Sequence, residues 1–319
     1  MRFTFVDLFS GIGGFHLAAQ KNGGVCVQAC DISSYARKVY MENYGLMPHD
    51  DIATIKPKHN VDLVTFGSPC QPYSIAGMRK GLSDVRGEIL LDHVVRYLKA
   101  SNAKAFIMEN VKGLLNINNG NDFRTILQKF QKIGYKLSIF ILNASQFGIP
   151  QNRERVYVVG HKRLLFDSSK IATKKLVKSA NDLLDTCLPE NGKLINPKRF
   201  NGLTLKKQPP ATKSGLMLMG SIGRGYTQDR VLSSDGVVGA LIANWSPIIF
   251  DERYKVIREL SDTELFRFQG FPKTFKIPPG SRKDVIKAAG NAVCVPVVTA
   301  IIKEMVNQSL ISCVRAHGV

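Results

Sequence analysis

The chain has 319 residues, 44% of them hydrophobic, enough to bury one large domain core or a large and a smaller one. Its formal charge of +19, from 44 Lys and Arg against 25 Asp and Glu, favours nucleic acid as a polyanionic partner. The alternative is a soluble basic protein without such a partner, which the charge alone does not exclude. The six cysteines form no CxxC pair, which argues against a zinc site or a disulfide framework and fits a reducing cytosol. No apolar run approaches membrane-spanning length and the start does not resemble a signal peptide, so we expect a cytoplasmic protein without a membrane segment.

The chain opens with the pattern of a strand, a glycine-rich turn and a helix. Residues 3–6 (FTFV) are strand-like, residues 7–15 (DLFSGIGGF) contain the glycines, and residues 16–19 (HLAA) begin the helix. Glycine lets a backbone approach a bound ligand closely, as in nucleotide-binding α/β folds. The dinucleotide fingerprint has a third glycine where His16 stands, so the pattern disfavours NAD.

A second predicted strand, residues 25–30 (VCVQAC), ends at Asp31. An acid about 20 residues past the glycines is the expected partner of ribose hydroxyls. The alternative is an ordinary acid at the end of a strand. Position and spacing favour a nucleoside ligand that is held without a pyrophosphate cradle.

One cysteine stands on a stiffened loop. Residues 61–66 (VDLVTF) resemble a buried strand, and residues 67–74 (GSPCQPYS) place a proline on either side of Cys70. Ligands bind at the carboxyl ends of strands in open α/β sheets. Residues 105–108 (AFIM) form another strand pattern that ends at Glu109, level with the Cys70 loop if the strands are parallel. Together, a cysteine and a glutamate there could supply a nucleophile and a proton-handling group.

Two arginines follow in an extended segment. Arg153 and Arg155 alternate within residues 148–155 (GIPQNRER), so they are predicted to share one face. Such a face suits a phosphate or a base carbonyl, and an exposed basic pair is the alternative.

The amino-acid composition of the chain changes in residues 161–250. Glycine, serine, proline and lysine are frequent there, and 14 Lys and Arg stand against 6 Asp and Glu. A disordered basic linker is one interpretation. Short apolar pieces and the lone Trp245 favour a small β-rich domain, whose loops could enter a groove of nucleic acid.

Taken in order, these segments resemble the DNA (cytosine-5) methyltransferase family, specifically its bacterial restriction–modification type. Each motif alone is weak, but the ordered set is specific. The matching segments are residues 7–15 (DLFSGIGGF), 67–72 (GSPCQP), 84–87 (DVRG), 109–111 (ENV), 151–155 (QNRER), 269–272 (QGFP) and 290–293 (GNAV). The part without a match, about residues 161–250, is where the family has its variable target-recognition region.

The resemblance implies the fold class and the domain order. We expect an α/β protein with a doubly wound, Rossmann-like S-adenosylmethionine-dependent methyltransferase domain and a smaller β-rich target-recognition domain. Residues 1–160 would form the catalytic and cofactor-binding domain, residues 161–275 the target-recognition domain, and residues 276–319 a C-terminal segment that packs back on the catalytic domain.

It also implies an activity and its residues. The enzyme would transfer a methyl group from S-adenosylmethionine to C5 of a cytosine flipped out of a specific duplex DNA sequence. Cys70 would add to C6 of the base, Glu109 would hold N3 and the amino group, and Arg153 and Arg155 would steady the base and the Cys70 loop.

The methyl donor, with no metal, would be bound by residues from both ends of the chain. Asp31 would contact its ribose, Asp51 its adenine amino group, and Asn291 would close over the site. The full predicted set is Asp7, Phe9, Gly11, Gly13, Asp31, Asp51 and Asn291. Two departures stand out: the family usually has Glu at the position of Asp31, and often a Thr-Leu pair where residues 239–242 (GALI) have Ala240.

By the same resemblance the partner is double-stranded DNA, and the enzyme would act as a monomer in the bacterial cytoplasm, associated with the nucleoid. A cognate restriction endonuclease would act separately. The main alternative is a tRNA cytosine-5 methyltransferase of the same family. An NAD-dependent oxidoreductase and a DNA-binding protein that has lost catalysis are the other two.

Overall fold

The computed structural model describes residues 2–67, 85–189, 193–196, 211–221 and 229–311, with residues 85–87 described by their backbone alone. Cys70, within residues 68–84, lies outside the described residues. The chain forms two compact units, the first made of Met1–Leu142, Glu154–Ala172 and Val297–Val319, the second of Asn143–Arg153 and Thr173–Pro296. The predicted functional division at residues 160 and 275 stays a prediction.

The described residues contain both strands and helices. The strands are β1 Phe3–Leu8, β2 Gly24–Cys30, β3 Leu63–Gly67, β4 Ala105–Val111, β5 Lys136–Asn143, β6 Gln151–Asn152, β7 Glu154–His161, β8 Leu218–Ser221, β9 Arg230–Ser233, β10 Val238–Gly239, β11 Ile248–Asp251 and β12 Val256–Glu259. The helices are α1 Gly14–Gln20, α2 Ser34–Tyr44, α3 Val85–Ser101, α4 Asn121–Lys132, α5 Asp262–Arg267, α6 Arg282–Asn291 and α7 Val295–Asn307.

The first unit is built on a six-stranded sheet with the order β2-β1-β3-β4-β7-β5. The neighbours from β2 to β4 are parallel, whereas β7 runs antiparallel to β4. Leu8, the last residue of β1, is level with Cys30 of β2 and with Phe66 of β3. The carboxyl ends of the parallel strands therefore lie at one edge of the sheet, where an open α/β fold binds its ligand.

Helices cover both faces of this sheet. Because side chains alternate along a strand, β1 sends Val6 and Leu8 into the core beneath α3 and α4, and Phe5 to the other face. Phe106 anchors the first core, with its ring centroid 4.8 Å from that of Phe130 in α4. On the other face the Phe5 ring meets His16 of α1 edge-on at 5.3 Å. This is the doubly wound arrangement that the sequence predicts.

The second unit is rich in β-structure, as predicted. A four-stranded sheet has the order β12-β11-β9-β8, and β6 pairs in parallel with β10. The sheet is mostly antiparallel, with a parallel pair between β11 and β9. Its small core consists of Met219, Val231, Ile248 and Ile257.

The stretch Arg282–Asn307 is long and apolar enough to cross a membrane, but 61% of its most apolar window is buried within the fold. It is divided into α6 and α7, which end and begin at Asn291 and Val295. The carbonyl of Thr299 in α7 accepts a hydrogen bond from Asn22 Nδ2 at 3.2 Å. These features are those of core helices.

A fully buried arginine organises the start of α5. Arg258 donates from Nε and Nη2 to Asp251 Oδ2 at 3.1 and 2.9 Å, and from Nη1 and Nη2 to the two oxygens of Glu264 at 2.7 and 2.8 Å. Burial by itself would raise the pKa of Asp251, but hydrogen bonds from Arg253 and Arg258 outweigh it and lower that pKa. A buried charge set of this kind is costly to break by removing one member.

We expect Arg258→Met to destabilise the protein by about 3–5 kcal/mol, since it leaves buried carboxylates without their partner. Lys255→Met is the matched control, because Lys255 pairs with Glu252 while 71% of its side chain is exposed. The control should cost no more than about 1 kcal/mol. Urea unfolding measures both, and equal losses would contradict the importance of the buried set.

Candidate active site

The glycine-rich turn lies directly after β1. Phe9, Gly11 and Gly13 adopt positive φ angles of 49°, 52° and 83°. Glycine adopts this region readily, whereas a phenylalanine there is strained, a feature that concentrates at ligand sites. The N–H of Ser10 donates to the carbonyl of Cys30 at 2.9 Å, which ties the turn to the end of β2.

Three aromatic side chains, His16, Tyr40 and Tyr44, form a group beside the turn, which the sequence analysis missed. The Tyr44 hydroxyl donates to the Gly13 carbonyl at 2.7 Å, and a Cβ added at Gly13 would lie 2.2 Å from the Tyr44 ring. The His16 ring stacks on Tyr44 at 3.9 Å, and its Nδ1 is 2.7 Å from the Tyr40 hydroxyl. The four-residue spacing places the two tyrosines on one face of α2, but it does not indicate that Tyr44 reaches Gly13.

His16 is therefore a packing residue beneath the turn. Burial lowers the pKa of His16 to about 4, so its imidazole is neutral near pH 7. His16 stands where the dinucleotide fingerprint has its third glycine. It stacks on the Tyr44 ring, which lies against Gly13.

Asp31 connects the turn to β2. Its Oδ2 accepts a hydrogen bond from the Gly11 N–H at 2.7 Å, and its Oδ1 accepts one from the Ser33 N–H at 2.8 Å. A carboxylate has further lone pairs that can accept ligand hydroxyl groups. Asp31 thus shapes the turn and remains chemically suited to a ribose.

Asp51 is brought to the same edge of the sheet by the segment that precedes it. The carbonyl of His49 accepts from the Asp31 N–H at 2.8 Å. Burial, followed by the charges of Asp31 and Asp51, raises the pKa of Cys30 to about 12, so both carboxylates lie near this one thiol. The structure brings together two residues that lie 20 positions apart in the sequence.

The Oγ of Ser10, in the turn, is buried and has no hydrogen-bond partner within the described residues. Asp7, near the end of β1, is also buried. Its Oδ1 accepts from Thr65 Oγ1 at 3.0 Å and its carboxyl group also accepts a hydrogen bond from the His16 backbone, while burial raises the pKa of Asp7, which favours its neutral form. Unpartnered buried polar atoms are rare in proteins and fit a site that a polar ligand completes.

Glu109 and Arg155 meet at this edge of the sheet. Because β7 is antiparallel to β4, it begins where β4 ends, and Arg155 stands opposite Val111. Arg155 Nε lies 3.1 Å from Glu109 Oε1, with the two side chains 13% and 11% exposed. Glu109 is level with Gly67, whose added Cβ would lie 3.6 Å from Glu109 Oε2. The carboxylate thus stands where the chain leaves β3 towards Cys70.

Arg153 is buried and binds backbone carbonyls. It is 3% exposed, and its guanidinium donates to the carbonyls of Leu241, Gly290 and Ala292 at 2.7, 3.1 and 2.8 Å. Arg153 precedes β7, which begins at Glu154, whereas Arg155 lies within that strand. The role predicted for both arginines, steadying the base and the Cys70 loop, stays a prediction.

The last predicted residue, Asn291, is exposed at the end of α6.

These features define the class of the protein. A Rossmann-like sheet, a glycine turn with two carboxylates, and a glutamate–arginine pair at one edge are those of an S-adenosylmethionine-dependent methyltransferase. The family model for C-5 cytosine-specific DNA methylases matches residues 3–307, and the chain belongs to this family. It is a DNA cytosine-5 methyltransferase.

Related proteins can be aligned with this chain over nearly its whole length. The type II methyltransferase M.HaeII of Haemophilus aegyptius is 36% identical over 95% of this chain and 92% of its own length. M.NgoBI of Neisseria gonorrhoeae is 35% identical, over 92% of this chain and 90% of its own. The fold is also similar to that of the Entamoeba histolytica methyltransferase EhMeth, with a TM-score of 0.74 at 19% identity over 97% of this chain and 99% of that one.

We expect Gly13→Ala to weaken S-adenosylmethionine binding at least about tenfold, because the new Cβ meets the Tyr44 ring at a φ of 83°. Gly134→Ala is the control. It imposes similar strain at a φ of 88°, but in the turn between α4 and β5, and should leave this affinity unchanged. Titration calorimetry with S-adenosylmethionine measures both, and a normal affinity for Gly13→Ala would contradict the role of the turn.

Proposed function

We propose that this protein is the modification methyltransferase of a type II restriction–modification system, which methylates C5 of one cytosine in a specific duplex sequence. The observation that supports this most is the Glu109–Arg155 pair, beside the point where the chain leaves β3 towards Cys70. Relatives named type II methyltransferases, at 35–36% identity, support the biological setting. The recognition sequence would be read by residues 161–275.

S-adenosylmethionine would be held by the glycine turn and the neighbouring carboxylates. The fit is chemical: it carries hydroxyl and amino groups that carboxylates accept, and it has no phosphates for a third glycine to cradle. The proposed set is Asp7, Phe9, Gly11, Gly13, Asp31, Asp51 and Asn291. When bound, this molecule supplies a methyl group that is made electrophilic by its sulfonium.

Cys70 and Glu109 would prepare the base. The Cys70 thiolate would add to C6 of the cytosine, and the displaced electron pair would make C5 nucleophilic. Glu109 would hold the proton that N3 gains as this happens. Once C5 is methylated, N3 would return its proton to Glu109 and C5 would lose its own proton to a base; the electron pair of that C–H bond would re-form the C5–C6 double bond and expel Cys70 from C6.

Arg155 would keep Glu109 in place. The Arg155 guanidinium, with Nε 3.1 Å from Glu109 Oε1, attracts the carboxylate and limits its movement when the base enters. Arg155 also stands on a strand of the central sheet, which is a rigid support for a catalytic pair.

The charge of +19 supports binding to DNA through its phosphates, with an affinity that falls steeply as salt rises. A cytosine in a duplex is inaccessible, so the enzyme would flip it out of the helix. We propose that it acts as a monomer in the bacterial cytoplasm near the nucleoid, apart from any endonuclease partner.

The first experiment is transfer of labelled methyl from S-adenosylmethionine to mixed genomic DNA, with tRNA in parallel. We expect label at C5 of cytosine in DNA only, and none with Cys70→Ser because the nucleophile is lost. Label in tRNA alone would favour the RNA branch of the family. Label that persists in Cys70→Ser would overturn the role of that cysteine, and no label in either substrate would indicate lost catalysis.

Glu109→Gln should lower kcat at least about 100-fold, since it removes a proton-handling group from the reacting base. Lys112→Ala is the matched control, because Lys112 forms a neighbouring but exposed pair with Glu154 at 3.0 Å. Its kcat should stay within about twofold of the wild type, as expected for an exposed ion pair. Steady-state methylation of DNA gives both values, and an active Glu109→Gln enzyme would exclude this role.

A further inference from the structure

We propose that Arg153 is a positioning residue, which holds residues 239–243 and residues 290–292 together and so acts on DNA and S-adenosylmethionine binding. This differs from a contact between Arg153 and the cytosine. The inference rests on the proposed function, in which residues 161–275 engage DNA and Asn291 lies against the methyl donor.

The first observation is that the Arg153 guanidinium donates hydrogen bonds to three backbone carbonyls. Its Nη1 donates to the Leu241 carbonyl at 2.7 Å, and its Nη2 donates to the carbonyls of Gly290 and Ala292 at 3.1 and 2.8 Å. The rigid, planar fork of an arginine can bind several acceptors in fixed directions, which a lysine cannot do. One side chain thus holds two backbone segments that lie about 50 residues apart in the sequence.

Gln151 forms a further hydrogen bond to the backbone of Leu241. Its Oε1 accepts from the Leu241 N–H at 3.0 Å, and its Nε2 donates to the Phe268 carbonyl at 2.6 Å. The N–H and the carbonyl of Leu241 are therefore bound by Gln151 and Arg153. The backbone pairing of β6 with β10 ends at Gly239. The side chains of Gln151 and Arg153 continue the contact between the two segments as far as Leu241.

Gly290 brings the two segments into direct contact. A Cβ added to this residue would lie 2.3 Å from the carbonyl carbon of Ile242 and 2.5 Å from the nitrogen of Ala243. Real side chains do not approach backbone so closely, so this packing requires glycine. The neighbouring turn of α6 is fixed by Gln269 Nε2, which donates to the Ala289 carbonyl at 2.7 Å.

Each held segment contains or adjoins an exposed asparagine. Asn291 stands between the two carbonyls that Arg153 Nη2 binds, and Asn244 lies in the turn that residues 241–243 enter. The amide of asparagine can donate and accept hydrogen bonds to a base edge or to a ligand. Loss of the guanidinium would release the backbone beneath both exposed side chains at once.

The test is Arg153→Lys, which keeps the charge and loses the fork. We expect the KM for DNA and the Kd for S-adenosylmethionine each to rise about tenfold or more. Arg155→Lys should give the opposite pattern, with a lower single-turnover rate at saturating concentrations of both ligands and little change in binding. If Arg153→Lys instead lowers the saturated rate as much as Arg155→Lys and leaves both affinities intact, the proposal is overturned.

Two further variants separate positioning from general loss of stability. Tyr135→Phe removes another buried hydrogen bond to a backbone carbonyl, the one from the Tyr135 hydroxyl to Ala103 at 2.7 Å, outside the residues proposed to bind DNA or S-adenosylmethionine. It should leave the KM and Kd values unchanged, and a similar rise would assign the effect to loosening. Gly290→Ala should reproduce the Arg153→Lys pattern, and serves as the test if Arg153→Lys fails to fold.

The failure of the proposed function is distinguishable from the failure of this inference. If the wild type transfers no methyl group to DNA, the proposed function fails. The Kd for S-adenosylmethionine, measured by calorimetry on the full-length chain, still tests the hold on residues 290–292. An unchanged Kd in both Arg153→Lys and Gly290→Ala would overturn the inference by itself.

Discussion

The register of the central sheet is the constraint on which the site depends. Parallel pairing makes Leu8, Cys30 and Phe66 level, so the segments that follow β1, β2 and β3 leave the sheet at one edge. The antiparallel β7 starts at this edge and delivers Arg155 to Glu109. Side chains in a strand alternate between faces, so a slip of one residue would send either partner to the opposite face.

Burial decides the roles of the polar groups around this edge. His16 lies in α1, directly after the turn with the predicted ligand contacts, yet its burial and its stacking on Tyr44 make it a neutral packing residue. Asp31 accepts from the Gly11 N–H, so the carboxylate that would contact the ligand also shapes the turn. One carboxylate thus fixes the backbone of the turn at the residues that are proposed to bind the methyl donor.

Much of the fold and part of the site could be predicted from the chain. The apolar run near Phe66 and the glycines at 11 and 13 carry local information, because strand length and positive φ depend on neighbouring residues. Tyr44 could not be found in this way, since its contact with Gly13 joins residues 31 positions apart. Nor could the burial of Arg153, whose three acceptors come from segments 88 to 139 residues away.

The sequence by itself determined the class of fold, the family, and the positions of Glu109 and the glycine turn at the ends of strands, because these depend on local patterns and on the order of motifs. Only the tertiary structure decided what the two neighbouring arginines do. Alternation along an extended segment says nothing of their partners: β7 begins between them, Arg155 pairs with Glu109 within the sheet, and Arg153 binds distant carbonyls. Where a strand starts depends on the partner across the ladder, and that partner is not a local property of the chain.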